Sequence, residues 1–239
     1  MRGAWGACVA IAAAAFVSRG GDPAFANEAA ITEHWLVFGG ADAWSGGGFA
    51  HAGFIWAVDG VMYDGFAVKV FTGAGQYRYL NGTTPTTGNV ALIDVLPGWH
   101  VKRGDLDISA FVGVDMQTHR VSPFDPGNQL AGTHTGVRAA LDIWWQPTAN
   151  AMASANVSYA SVGNGYWVRL ASGWRVFDAV YVGPEIHAMG DDVYHQWRYG
   201  LHATALHIGI FELSVGAGYV QDNSDRCGAY GRFGVLLRR

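Results

Sequence analysis

The chain has 239 residues, of which only 14% are charged, with a net charge of −4, 13% aromatics and 34 glycines. A weakly acidic chain without a basic stripe excludes nucleic acid as a partner. Beyond the first residues no apolar run reaches the ~18 residues of a membrane-crossing helix, so the glycine- and aromatic-rich composition is left to a soluble all-β protein or a transmembrane β-barrel.

Met1-Arg2, the apolar run Ala4 to Val17 and the small-x-small sequence Ala24-Phe25-Ala26 read as a secretory signal, 1–26, removed after Ala26. Its removal takes Cys8 with it and leaves Cys227 alone, so the mature chain, 27–239, is expected to form no internal disulfide. An exported chain without disulfides needs another source of stability. A closed barrel is one, since every backbone group is paired and no sheet edge remains.

Alternation with a period of two then predicts strands along the whole mature chain. The first is Trp35 to Trp44, turned at Ser45 to Gly48 and followed by Phe49 to Val58, with a tight turn at Asp59-Gly60. Tyr63 to Tyr79 sets Phe66, Val68 and Val70 against Ala67, Lys69 and Phe71. A polar loop is expected over Leu80 to Gly88. Val90 to Lys102 sets Ile93, Val95 and Trp99 against Asp94, Gly98 and His100, and a hairpin at Arg103-Gly104 leads to the alternating run from Leu106 to Gln117. A longer loop is expected over Val121 to Ala131. The sixth strand, Gly132 to Gln146, carries Val137, Ala139, Leu141, Ile143 and Trp145 on one face and His134, Arg138 and Asp142 on the other. Further strands follow at Met152 to Val162, Tyr166 to Val176, from Val180, at Trp197 to Thr204, Phe211 to Tyr219 and Ala229 to Leu237. Turns are expected at Phe177-Asp178 and His207 to Gly209, with a loop over Gly190 to Asp192 and a last polar loop over Gln221 to Gly228.

About twelve strands result, with no helical period between them. The connections are expected to be short after strands two, four, six, eight and ten, and longer after three, five and eleven. Aromatic residues gather at strand ends, among them Trp35, Trp44, Tyr77, Tyr79, Trp99, Trp145, Trp174, Tyr194, Trp197 and Tyr219. Short turns on one side, longer loops on the other and aromatic girdles at both are marks of outer-membrane barrels. The expected fold is all-β: a single transmembrane antiparallel up-and-down barrel. Its C-terminus, Leu236-Leu237-Arg238-Arg239, departs from the terminal aromatic common in such barrels.

Several short segments, in this order and spacing, give the chain a family likeness: Gly40-Ala-Asp42-Ala-Trp44-Ser-Gly, Gly75-Gln-Tyr77-Arg78-Tyr79, Leu96-Pro97-Gly98-Trp99, Gly132-Thr-His134-Thr-Gly136-Val-Arg138, Trp145-Gln-Pro147-Thr, Tyr181-Val-Gly183-Pro184-Glu185 and Gly228-Ala-Tyr230-Gly-Arg232. Together they resemble the alphaproteobacterial cellulose biosynthesis protein BcsS family. The resemblance covers nearly the whole mature chain. It implies an outer-membrane or envelope protein tied to cellulose production, with outer-membrane lipid, cellulose and other cellulose-synthase components as partners, and it carries no functional residues with it.

The polar face supplies the candidate lumen: Lys69, Asp94, Asp107, Asp115, His134, Arg138, Asp142, Arg169, Arg175, Glu185, His187, Arg198, His202, Glu212 and Arg232. Mixed charges of this kind either bind a sugar polymer or brace the interior as ion pairs. The residues singled out for lumen or polysaccharide contact are His134, Arg138, Asp142, Trp44, Tyr77, Tyr79, Arg78, Asp115 and Arg198. No cofactor is expected, nor a metal site, because the nine histidines lack ligand spacing. A lipid hydrolase or acyltransferase would need a Ser–His pair, for which Ser122, His119 and His134 are the candidates by sequence alone; no Ser sits in a nucleophile motif, and no catalytic residue is expected. The expected function is therefore a non-enzymatic outer-membrane accessory of cellulose biosynthesis and secretion. A porin-like channel for small sugars is the first alternative and the lipid enzyme the second.

Overall fold

In the computed structural model, residues 33–177, 180–224 and 226–239 are described. The expected signal segment, 1–26, lies outside them. The strands are β1 (Trp35–Trp44), β2 (Gly47–Ala57), β3 (Gly65–Asn81), β4 (Thr84–Arg103), β5 (Leu106–Ser122), β6 (Gly132–Thr148), β7 (Ala151–Ala160), β8 (Gly165–Val176), β9 (Val180–Gly190), β10 (His195–Ile208), β11 (Phe211–Asp222) and β12 (Cys227–Arg238). Each pairs antiparallel with its successor, and β1 closes on β12 from Leu36 opposite Arg238 to Trp44 opposite Tyr230. The all-β, twelve-stranded closed antiparallel barrel expected from the alternation is the observed fold.

Because side chains alternate across each strand, the wall has two unlike faces. Outward point Val37, Ile93, Val95, Val112, Val114, Val137, Leu170, Ile186, Leu201, Val215 and Phe233, all exposed. Below this band, toward the end carrying Trp35 and Arg238, lie Trp35, Trp56, Phe66, Trp99, Trp145 and Trp174; above it lie Tyr159, Trp197, Tyr199 and Tyr219, all exposed as well. Inward point the charged and small residues, many fully buried.

The largest departures of the strand ends from expectation are four, while β2 and β7 differ by one or two residues at an end and β5 runs two residues into the expected 121–131 loop. Leu80 to Gly88 is not a loop: β3 and β4 run on, and the chain reverses at 82–83, with Asn81 opposite Thr84 and Gly82 at φ +60°. Threonine-rich sequence favours strand, and Gly82, the first of the two turn residues, supplies the positive φ of the hairpin. The connection after β2 is not a tight turn but spans 58–64, so loop length does not divide cleanly between the two ends. β10 continues through the expected turn to Ile208; a one-residue bulge between Ala203 and Leu206 places Ala205 at φ +62° and shifts the later register. β11 extends to Asp222, which shortens the last polar loop to 223–226.

Candidate functional site in the lumen and its mouth

One wall of the lumen is organised by β6. Register sets Arg138 opposite Gly113 and Asp115 opposite Gly136, so each long charged side chain faces a residue with no side chain to oppose it. Arg138 reaches sideways into the adjacent carboxylates of Asp94 and Asp115, which are themselves paired across β4 and β5. Its Nε lies 3.0 Å from Asp94 Oδ2 and its Nη2 3.0 Å from Asp115 Oδ1. Asp94 is 1% exposed and Asp115 not at all. Gln117 Nε2 donates to the free oxygen of Asp115 (2.7 Å), and its own Oε1 lies 3.0 Å from His119 Nε2. One turn of the ladder lower, Asp142 accepts from Lys69 Nζ (2.7 Å) and Asn156 Nδ2 (2.9 Å). The Lys69 ammonium sits over the rings of Phe38 and Phe111, at 5.7 and 5.5 Å. His134, at the upper end of the same face, has no hydrogen-bond partner for its Nε2.

The opposite wall centres on Glu185. Its buried carboxylate accepts from Arg169 Nη2 (2.9 Å), Arg232 Nη2 (2.7 Å) and Tyr230 Oη (3.0 Å). A Cβ at Gly216 would lie 2.1 Å from Glu185 Oε1, so glycine there makes the cluster possible. Above it the Arg198 guanidinium is sandwiched between Trp44 (4.7 Å) and Tyr230 (5.4 Å), with Asp42 at 3.8 Å. Arg198 is completely buried. Charges withdrawn from bulk water persist only when matched by partners, and both walls consist largely of such matches.

The loops around the mouth are tied to one another. Tyr79 Oη donates to Asp125 Oδ2 (2.8 Å) and accepts from Asn128 Nδ2 (2.9 Å), which draws the 123–131 loop inward over the lumen. Leu130 of that loop packs against Gly163 of the turn at 161–164. Gly163 O accepts from Asp192 N (2.9 Å), and Asn164 Nδ2 donates to Asp192 Oδ1 (2.9 Å). Asn223 Nδ2 donates to Val193 O (3.1 Å), and Arg226 donates to the carbonyl of Arg78. The contacts thus return to β3. Inside this ring Tyr77 stacks with Tyr79 and Tyr194 (6.1 and 5.6 Å), and Trp44 Nε1 donates to Tyr194 Oη (3.3 Å). Burial raises the Tyr194 hydroxyl above its ordinary pKa.

The structure gathers Arg138, Asp142, Asp115 and His134 on one wall and Trp44 and Arg198 on the other. Tyr77 and Tyr79 form the floor of the mouth; like Trp44 and Tyr194 they face inward rather than joining an outer girdle. Arg78 is on the outer face of β3, exposed and away from the lumen. Asp125 and Asn128, which hold the inward loop, were not among the expected residues; Asp125-Pro-Gly-Asn128 signals only a turn. Ser122 has the outward parity of β5 and His119 the inward, and no hydrogen bond joins Ser122 to either candidate histidine among the described residues. Nor do these residues include a group of three or more His, Cys, Asp or Glu placed to hold a metal.

Comparison with known proteins gives one family. The sequence model described as cellulose biosynthesis protein BcsS matches residues 36–239. No curated protein matches. Among solved structures, the chain is similar to a KdgM porin (9% identity, 84% of this chain and 98% of that one, TM-score 0.44). It is similar also to the translocator domain of the autotransporter NalP from Neisseria meningitidis (13% identity, 86% and 87%, TM-score 0.45). The transport unit of the autotransporter AIDA-I from Escherichia coli is a third (9% identity, 90% and 92%, TM-score 0.43).

Proposed function

The chain belongs to the cellulose biosynthesis protein BcsS family, and from that premise we propose that it is a non-enzymatic barrel of the bacterial outer membrane that serves cellulose secretion at the cell surface. The observation that carries the reading is the opposition of the two faces: a closed wall, apolar outside between two rows of aromatics and charged inside. A water-soluble barrel would leave that belt uncovered, far beyond the few hundred Å² of apolar patch that soluble proteins expose. A bilayer covers it, with Trp and Tyr at the two boundaries. Removal of 1–26 on export, leaving 27–239 as the barrel, is part of the proposal.

Paired charges across both walls and a ring of interlocked loops over the mouth support a braced scaffold over a porin-like channel for small sugars. Outer-membrane lipid, cellulose and the other synthase components are the proposed partners. Two experiments test the reading. The protein should fractionate with the outer membrane and migrate faster on a gel when unheated, and a strain lacking it should secrete less cellulose. A fully soluble mature chain, or unchanged cellulose output, contradicts it.

A further inference from the structure

The upper wall of the barrel is notched. β5 and β6 stay paired up to His119 opposite Gly132, whereas β7 accompanies β6 only to Ala160, opposite Arg138. Ser161 adds one more rung: its N donates to Val137 O (2.8 Å), and its Oγ accepts from Val137 N (2.9 Å). Above that rung β6 has no strand on this side. A cavity of about 270 Å³ lies there, bordered by the inward loop, the 161–164 turn and Asp192.

The lining gives the cavity a definite chemistry. His134 and Thr135 both contribute to it, although consecutive strand residues point to opposite faces. The cavity therefore takes in the edge of β6 that is left without a neighbouring strand above Ser161. Gln129 offers an amide, Thr135 and Ser161 hydroxyls, Asp192 a carboxylate and Leu130 an apolar patch. His134 borders the space as well, with its Nε2 enclosed by the surrounding protein and turned away from the opening. No Lys or Arg lines the space, while a carboxylate does, so a phosphate-bearing headgroup would meet like charge without compensation. A neutral ring carrying several hydroxyls meets donors and acceptors instead. The volume lies just under the roughly 300–1,000 Å³ of sites for drug-sized ligands.

We propose that this notch is a binding subsite for a neutral saccharide, one sugar unit of a β-glucan strand held beside the mouth by hydrogen bonds to Gln129, Thr135, Ser161 and Asp192. The proposal rests on the cellulose reading for the identity of the sugar. It does not require the strand to pass along the lumen.

The test is titration of the full mature protein in detergent micelles with cellotetraose, followed by calorimetry. Two variants accompany it: Thr135→Val, which keeps the shape and removes the hydroxyl, and Gln129→Trp, which fills the space from an exposed loop position. Saturable binding is expected, weakened about tenfold by Thr135→Val and abolished by Gln129→Trp. Unheated gel mobility should be unchanged in both, which separates loss of the site from loss of the fold. Absence of binding by the parent protein, or binding indifferent to both substitutions, overturns the proposal. So does tighter binding of a phosphorylated glucosamine disaccharide than of cellotetraose. Failure here with cellulose secretion still dependent on the protein removes the subsite and leaves the secretion role standing; intact binding with secretion unaffected does the reverse.

Discussion

At the scale of single residues, stability depends on which charges are buried. Arg138 bridges two fully enclosed carboxylates, Asp94 and Asp115, and Glu185 anchors Arg169 and Arg232. Removing one member strands the others, at a typical cost of about 3–5 kcal/mol. Arg138→Met and Glu185→Gln should each lower the unfolding free energy by that order in denaturant titrations in micelles. Arg238→Gln breaks only a rim pair with Glu212, with Arg238 40% exposed, and should change it by less than about 1 kcal/mol. Asp191 behaves differently. Burial raises its pKa, opposed by hydrogen bonds from the N–H groups of Val193 and Tyr194 and by nearby His195, and reinforced by Asp192. A raised carboxyl pKa means that the folded loop favours the protonated form. Order in 191–194 is therefore complete below the ordinary carboxylate range and declines as pH rises through the raised value. Asp191→Asn keeps the acceptor oxygen and should flatten that decline, measured as amide protection corrected for intrinsic exchange. Parity alone foretold that Arg138, Asp142 and Asp115 would face inward. It could not say that Asp94 and Asp115 share Arg138, because that follows from the register between strands. The same parity assigns Arg78 to the outer face, where nearness in sequence to Tyr77 and Tyr79 had grouped it with the lumen.

At the scale of elements, every expected strand is present, because strict alternation over ten or more residues admits little else. Their ends were less legible. NGTTPTTG has the composition of a loop, yet Asn81 ends β3, Thr84, Thr86 and Thr87 belong to β4, and only Gly82 and Thr83 turn. The β10 bulge at Ala205 left no trace in the sequence, since an alanine in a left-handed conformation carries no signal of its own. That conformation is strained for any residue with a Cβ. Ala205→Gly should stabilise the barrel by about 0.5–1 kcal/mol. Ala205→Val, β-branched, should destabilise it by about 1–2 kcal/mol. Both are read from the midpoint of heat-induced gel mobility change. Equal effects would mean that the bulge relocates instead of holding its register. The inward course of the 123–131 loop was likewise hidden, since it depends on Tyr79 meeting Asp125 and Asn128 across 46 and 49 residues of chain.

At the scale of the whole molecule, closure is what lets a chain without a disulfide among its described residues stand by itself: β12 meets β1, and no edge is left along the paired length. The same closure separates an outer surface suited to lipid from an interior held by ion pairs. The sequence disclosed this separation at once, because it is written in every strand. It disclosed the mouth poorly, because the mouth is made by loops that meet only after the barrel has formed. The central claim is that this barrel serves cellulose secretion as a structural component and not as a catalyst. The most direct measurement is the cellulose released by a deletion strain complemented with the parent chain or with a chain carrying both His119→Ala and Ser122→Ala. The account predicts that release falls on deletion and is restored equally by both chains. Release unchanged by deletion, or restored by the parent alone while the variant is inserted at normal abundance, would contradict it.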